Sequence, residues 1–245
     1  MKFIQPTTGV LLAALLLAPA LQARPIVFAR STTAMAEYRE GELAEAQVFY
    51  APTYYLSYGL GHFELENEDM SARHYVTYAR LNLLAKRWNL PAAQGNVFLW
   101  GGAGRAQIED MYLQPAVSGE PSEHDHGESP TPEPVFVPAQ QDFAWNAGGQ
   151  IDFETRRIYT SFKTDFHYSS IFWHRADTLQ FGFAPYQHDV DTLATWFVVS
   201  GRRYSGNMHE GTEVALLLRF FKKKTWIEAG ATTDGKLQAM AMFNF

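Results

Sequence analysis

The sequence predicts an all-β chain closed into an antiparallel transmembrane β-barrel of about ten strands, with eight and twelve as the neighbouring possibilities. Three observations lead there. Beyond the N-terminal segment no apolar run approaches the ~18 residues that a membrane-spanning helix requires. In its place stand stretches of about ten residues in which apolar and polar types alternate, the period-two mark of a strand with one apolar and one polar face. Such stretches match the ~9–11 residues a strand needs to cross a bilayer rather than the ~5–6 of a soluble strand, and several carry Phe, Tyr or Trp near the ends of the apolar face, as an interfacial girdle does.

Composition narrows the field further. The 245 residues are 47% hydrophobic and 15% aromatic, with a mean hydropathy of -0.22, which excludes wholesale disorder. No cysteine is present, so a disulfide framework, a thiolate metal site and a cysteine nucleophile are all excluded. The net charge of -6 offers no basic field, and nucleic acid is not an expected partner.

The elements follow in order. Lys2 and the apolar run over residues 9–19 (GVLLAALLLAP), followed by Ala18-Pro19-Ala20 and Leu21-Gln22-Ala23, read as a secretory signal peptide over residues 1–23. The barrel domain is then expected over 24–245. Removing residues 1–23 takes away Lys2 alone and moves the charge from -6 to -7. Residues 34–49 (AMAEYREGELAEAQVF) hold several good helix formers and read either as a short helix or, over 45–51, as the start of an extra strand. Strands are expected near 53–65, 72–86, 96–110, 141–154, 157–169, 177–188, 193–204, 212–222, 224–232 and 236–245. The clearest is 141–154, with Phe143, Trp145, Ala147, Gly149, Ile151 and Phe153 on one face and Asn146, Gln150, Asp152 and Glu154 on the other. Pro185, inside the 177–188 stretch, implies a bulge there. Residues 111–140 are Pro-, Gly- and Ser-rich and are expected as a long disordered loop.

The last stretch, Lys236 to Phe245 (KLQAMAMFNF), puts Leu237, Ala239, Ala241, Phe243 and Phe245 on one face. A final alternating strand ending in phenylalanine resembles the insertion signal of bacterial outer-membrane β-barrel proteins, small porin-like barrels among them. The resemblance covers the architecture of the chain and no particular subfamily. It implies an outer-membrane location in a Gram-negative envelope and recognition of Phe243 and Phe245 by the barrel-assembly machinery. Outer-membrane lipids and lipopolysaccharide are the implied surroundings, for a barrel that is a monomer. In such barrels both chain termini lie on the periplasmic side with the short turns, here 155–157, 188–191 and 222–224, and the longest connection faces outward.

Three constellations carry candidate chemistry. By strand parity Tyr78, Arg80, Lys86, Arg105, Asp142, Asp152, Lys163, Asp165, His167, Glu213, Arg219 and Glu228 point into the lumen. There they either form a plug of ion pairs or line a narrow charged pore. The lumen-lining set is thus Arg80, Arg105, Asp152, Lys163, Asp165, Glu213 and Arg219. In the long loop, His124, Asp125 and His126 join imidazole to carboxylate and can hold a divalent metal loosely, though a flexible loop lacks a preset geometry; no other cofactor is expected. His167 and Ser169, two apart on one strand, match the His-x-Ser pair of lipid A deacylases, small outer-membrane barrels, with Asp177 or Asp165 to orient the imidazole. A three-residue match arises readily by chance, and parity turns His167 away from lipid substrates. The expected role is a porin-like or small-solute or ion channel, with a possible metal link; the alternatives are a non-conducting structural or surface-interaction barrel and, last, a deacylase-type enzyme.

Overall fold

The computed structural model describes residues 29–66, 73–108, 111–113, 135–187 and 191–245. The residues expected to form the signal peptide, and most of the long loop with His124, Asp125 and His126, lie outside them. The strands are β1 (Ser31–Arg39), β2 (Leu43–Ala51), β3 (Leu56–Glu66), β4 (Arg73–Asn89), β5 (Ala93–Ile108), β6 (Met111–Leu113), β7 (Val135–Val137), β8 (Gln140–Thr155), β9 (Ile158–Ser169), β10 (Trp173–Phe183), β11 (Ala194–Gly206), β12 (Gly211–Lys222), β13 (Thr225–Thr232) and β14 (Leu237–Asn244). All but β6 and β7 form one closed antiparallel barrel of twelve strands; β5 pairs with β8, and β14 returns to β1. The β6–β7 pair is a short ladder of its own inside the connection expected to be disordered throughout.

Twelve strands replace the expected ten because residues 31–51 form a hairpin, β1–β2, and not a helix. The helix formers that suggested otherwise, Ala34, Ala36, Ala44 and Ala46, occupy the outer face of this hairpin. Helix propensity is a weak prior, and a full set of ladder hydrogen bonds on both sides of β1 overrides it. The chain reverses at Gly41, whose φ of 69° suits a residue without a side chain.

The barrel is inverted relative to a soluble protein. Leu60, Leu81, Leu99, Phe143, Ile151, Leu179, Phe197 and Leu216 stand exposed on the outer face, Leu216 at 64%, and such a continuous apolar band is suited to hydrocarbon. Aromatic residues mark both edges of the band. Tyr54, Tyr55, Trp88, Phe183 and Tyr186 lie at the rim where β1 starts and β14 ends, here the terminal rim. At the opposite or loop rim, Trp145, Phe166, Tyr168 and Trp173 contact one another, with ring centroids 5.2–6.4 Å apart. The shortest connections, 156–157 and 223–224, sit at the terminal rim. The longest, between β5 and β8, sits at the loop rim.

Three local expectations are corrected. Pro185 introduces no bulge: β10 ends at Phe183, and Pro185 belongs to the following turn, where the Arg157 side chain donates to the carbonyls of Ala184 and Pro185. The irregularity lies instead between Leu84 and Lys86 on β4. It shifts the register, so Lys86 leaves the lumen side and approaches the outward Trp88, while Arg87 turns inward to Asn96. Arg105 is also on the outer face, in register between Thr77 and Phe143.

Candidate functional site: the lumen

The inner face of the barrel is polar at mid-height and apolar at both ends. Toward the loop rim Leu43, Phe63, Leu65, Val76, Ala106, Ala144, Phe172 and Met208 pack together. Toward the terminal rim Tyr159, Ala184, Ala194, Trp196, Leu217 and others do the same on the far wall. Between these clusters lies a chamber of about 240 Å³, walled by residues that include Met35, Glu37, Lys163, Asp165, His167, His174, Thr178, Arg219, Trp226, Glu228, Met240 and Met242.

One wall is organised around a carboxylate. Asp165, on β9, receives the indole N–H of Trp100 at 3.0 Å. It also pairs with Lys163 at 3.4 Å, His167 at 3.4 Å and the Arg80 guanidinium at 3.7 Å. Arg80 lies 4.7 Å above the Tyr78 ring and donates to Asn146 at 3.2 Å. The Tyr78 hydroxyl donates to Glu45 at 2.5 Å. Glycine makes room for these rings. A Cβ at Gly148 would fall 2.5 Å from the Trp100 indole, and one at Gly61 2.2 Å from the Tyr78 ring.

The facing wall is organised around a cation. Arg219, on β12, donates to Glu228 at 2.5 Å and to Gln180 at 2.9 Å. Its guanidinium carbon lies 4.6 Å from the Tyr159 ring centroid and 4.4 Å from that of Trp226, so an aromatic ring supplies part of its charge stabilisation. Nearer the loop rim, Arg202 donates to Glu213 at 3.0 Å, and the Tyr204 hydroxyl lies between Glu213 and Glu42. Arg39 pairs with Glu37 at 3.2 Å and with Glu42. Asp152 sits apart, accepting from Asn96 at 2.7 Å and Gln150 at 2.9 Å.

The structure therefore brings Arg80, Lys163, Asp165 and His167 into one network, with Arg219, Glu213 and Asp152 in separate ones. Arg105 joins none of them. Sequence parity missed Trp100, Glu37, Arg39, Glu42, Arg202 and Tyr204. A signal for Arg202 existed, since it stands directly opposite Glu213 in the β11–β12 ladder. The inward carboxylates of Glu37, Glu42, Glu45, Asp152, Glu154, Asp165, Glu213 and Glu228 outnumber the inward cations of Arg39, Arg80, Arg87, Lys163, Arg202 and Arg219.

The deacylase-like set does not assemble. Asp177 faces outward and holds Arg175 at 2.9 Å, on the opposite side of the sheet from His167. Ser169 Oγ accepts the backbone N–H groups of Ile171 and Phe172 at 3.3 and 3.2 Å, so it closes the β9–β10 turn. His167 is engaged with Asp165 and stands edge-on to the Phe63 ring, centroids 4.8 Å apart. Among the described residues no group of His, Asp and Glu has the geometry of a metal site.

Phe243 and Phe245 point outward beside the seam between β14 and β1. Phe245, 69% exposed, exchanges backbone hydrogen bonds with Thr32 at 2.8 and 3.3 Å. The seam itself is locked by Thr33 and Asn244, whose side chains bond at 2.6 Å.

No family model and no curated protein matches the sequence. A solved structure similar to it is that of a loop-deletion mutant of OmpT, an outer membrane protein of Vibrio cholerae, with 7% identity and a TM-score of 0.29, covering 88% of this chain and 97% of that one. The chain's own sheet, closed, apolar outside and ion-paired inside, has the architecture of an outer-membrane-type β-barrel.

Proposed function

We propose that the protein is an integral outer-membrane barrel whose lumen passes small solutes or ions along a narrow, ion-paired path. The observation that supports this reading most is the chamber of about 240 Å³ at mid-height, bounded by charged side chains from both walls. A barrel built only for structure has no need of an interior cavity, because empty volume forfeits packing. The excess of inward carboxylates favours cations. In this reading the terminal rim is periplasmic, the loop rim faces outward among lipopolysaccharide, the barrel is a monomer, and Phe243 and Phe245 guide its assembly.

A non-conducting barrel is the second reading. The apolar clusters that narrow the lumen toward each rim favour it. Planar-bilayer recording of the refolded chain separates the two. Discrete cation-selective steps, lowered when Glu37→Gln and Glu228→Gln are introduced together, support the channel. A folded, membrane-inserted barrel with no steps supports the plug.

A further inference from the structure

The described methionines whose side chains are placed, Met35, Met208, Met240 and Met242, all lie inside the barrel, and the lipid-facing band is built from Leu, Phe, Val and Ile without them. Three of them are brought together by the seam. Met35 on β1 is the direct partner of Met242 on β14, and Met240 follows two residues along the same face. Directly opposed residues have Cα atoms ~4.5–5.5 Å apart, and same-face neighbours along a strand lie about 7 Å apart. Three unbranched thioether chains therefore project from one small patch into the chamber. His174 lines the loop-rim end of the same chamber, beside Tyr204 and His209 with ring centroids 5.8 and 6.1 Å away, and so stands apart from the thioethers, which lie toward the terminal rim.

Thioether sulfur is a soft donor, matched to Cu(I) or to Ag(I), which likewise has a filled d shell, and poorly matched to Mg²⁺, Ca²⁺ or Mn²⁺, which take oxygen. The oxygens that would serve a hard ion are already committed: Glu37 to Arg39, Asp165 to Arg80 and Lys163, and Glu228 to Arg219. We infer that the chamber binds one soft monovalent cation, Cu(I) or Ag(I), on the thioethers of Met35, Met240 and Met242. The inference deepens the channel reading by naming the class of ion, and it needs the chamber to be reachable from solution. No covalent or redox step is involved.

The test is titration of Ag(I) into the full, refolded chain in detergent, followed by calorimetry and native mass spectrometry. The wild type is expected to take up one tightly held ion. The triple variant Met35→Leu, Met240→Leu, Met242→Leu conserves volume and apolar character; it is expected to bind at least tenfold more weakly with an unchanged β spectrum. His174→Phe is a control at the other end of the chamber, expected to leave Ag(I) affinity unchanged. Zn²⁺ in place of Ag(I) is expected to bind no more tightly to the wild type than to the triple variant. Equal Ag(I) binding by wild type and triple variant overturns the inference, as does a Zn²⁺ affinity that matches that for Ag(I). Should the triple variant fail to fold, Met35→Leu alone and Met242→Leu alone decide: unchanged affinity in both overturns it. The outcome is separable from conduction, because binding without single-channel steps refutes the channel and keeps the site, whereas steps without selective Ag(I) binding do the reverse.

Discussion

The two walls of the lumen solve one problem in opposite ways. On the β4–β5–β8–β9 wall a single carboxylate, Asp165, is shared by an indole, an ammonium, an imidazole and a guanidinium contributed from three strands. On the facing wall a single guanidinium, Arg219, is enclosed by one carboxylate, one amide and two aromatic rings. An anion at the hub concentrates the consequences of its loss, because four donors lose one acceptor at once, although Arg80 keeps Asn146 and the Tyr78 ring. A cation at the hub spreads the risk, since rings continue to stabilise it when the carboxylate is removed. Charge balance inside a barrel can thus be either centralised or distributed.

Substitutions can break that contrast, beginning with the largest effect. Asp165→Ala strands Arg80 and Lys163 beside each other, and removing one partner of a buried pair is expected to lower the unfolding free energy by about 3–5 kcal/mol; equilibrium urea unfolding in lipid vesicles reads it. On the other wall Glu228→Gln leaves Arg219 with Gln180, Tyr159 and Trp226, so the loss is expected to be about 1.5–3 kcal/mol. Equal losses in the two variants would erase the distinction. Next in size is steric. Gly148→Val places a branched side chain against Trp100, where overpacking is expected to destabilise by about 1–3 kcal/mol and to change the near-ultraviolet dichroism of the indole. Gly201→Ala meets nothing within 4 Å of the added Cβ and is expected to change stability by no more than about 0.5 kcal/mol. Smallest is Arg105→Ala, on the outer face of the first wall, expected within about 0.5 kcal/mol in the same unfolding experiment. A loss comparable to that of Asp165→Ala would return Arg105 to the lumen.

How much of this was legible in the sequence depended on contrast between faces. From 141 to 169 large apolar residues alternate with Asn, Gln, Asp, Lys and His, and the faces expected for Asp152, Lys163, Asp165 and His167 are those observed. Residues 101–104, Gly-Gly-Ala-Gly, carry no contrast at all, so the parity of β5 had no anchor. Strict alternation puts Arg105 in the lumen, whereas it is Trp100 that points inward, as the donor to Asp165. The bulge between Leu84 and Lys86 has no local marker, since neither Gly nor Pro stands there. Alanine hid the first hairpin, because it covers a lipid-facing surface with a residue that also favours helix. The chamber was not legible, because it is assembled from strands spread along the whole chain, from β1, β2 and β3 to β13 and β14, and its methionines meet only when the barrel closes.

The bond between Thr33 and Asn244 joins residues 211 positions apart. Every other neighbouring pair of barrel strands can form as soon as a hairpin, or at most one long connection, has been made; the seam cannot. Loop-closure entropy grows only logarithmically with length, each doubling adding about 0.6 kcal/mol, so the obstacle to joining β1 with β14 is one of timing more than of energy. Until that ladder forms, β1 and β14 are both open edges, and an open edge inside hydrocarbon leaves backbone groups without partners. The thioether patch of Met35 and Met242 spans this same seam, so it exists only when the circle is complete.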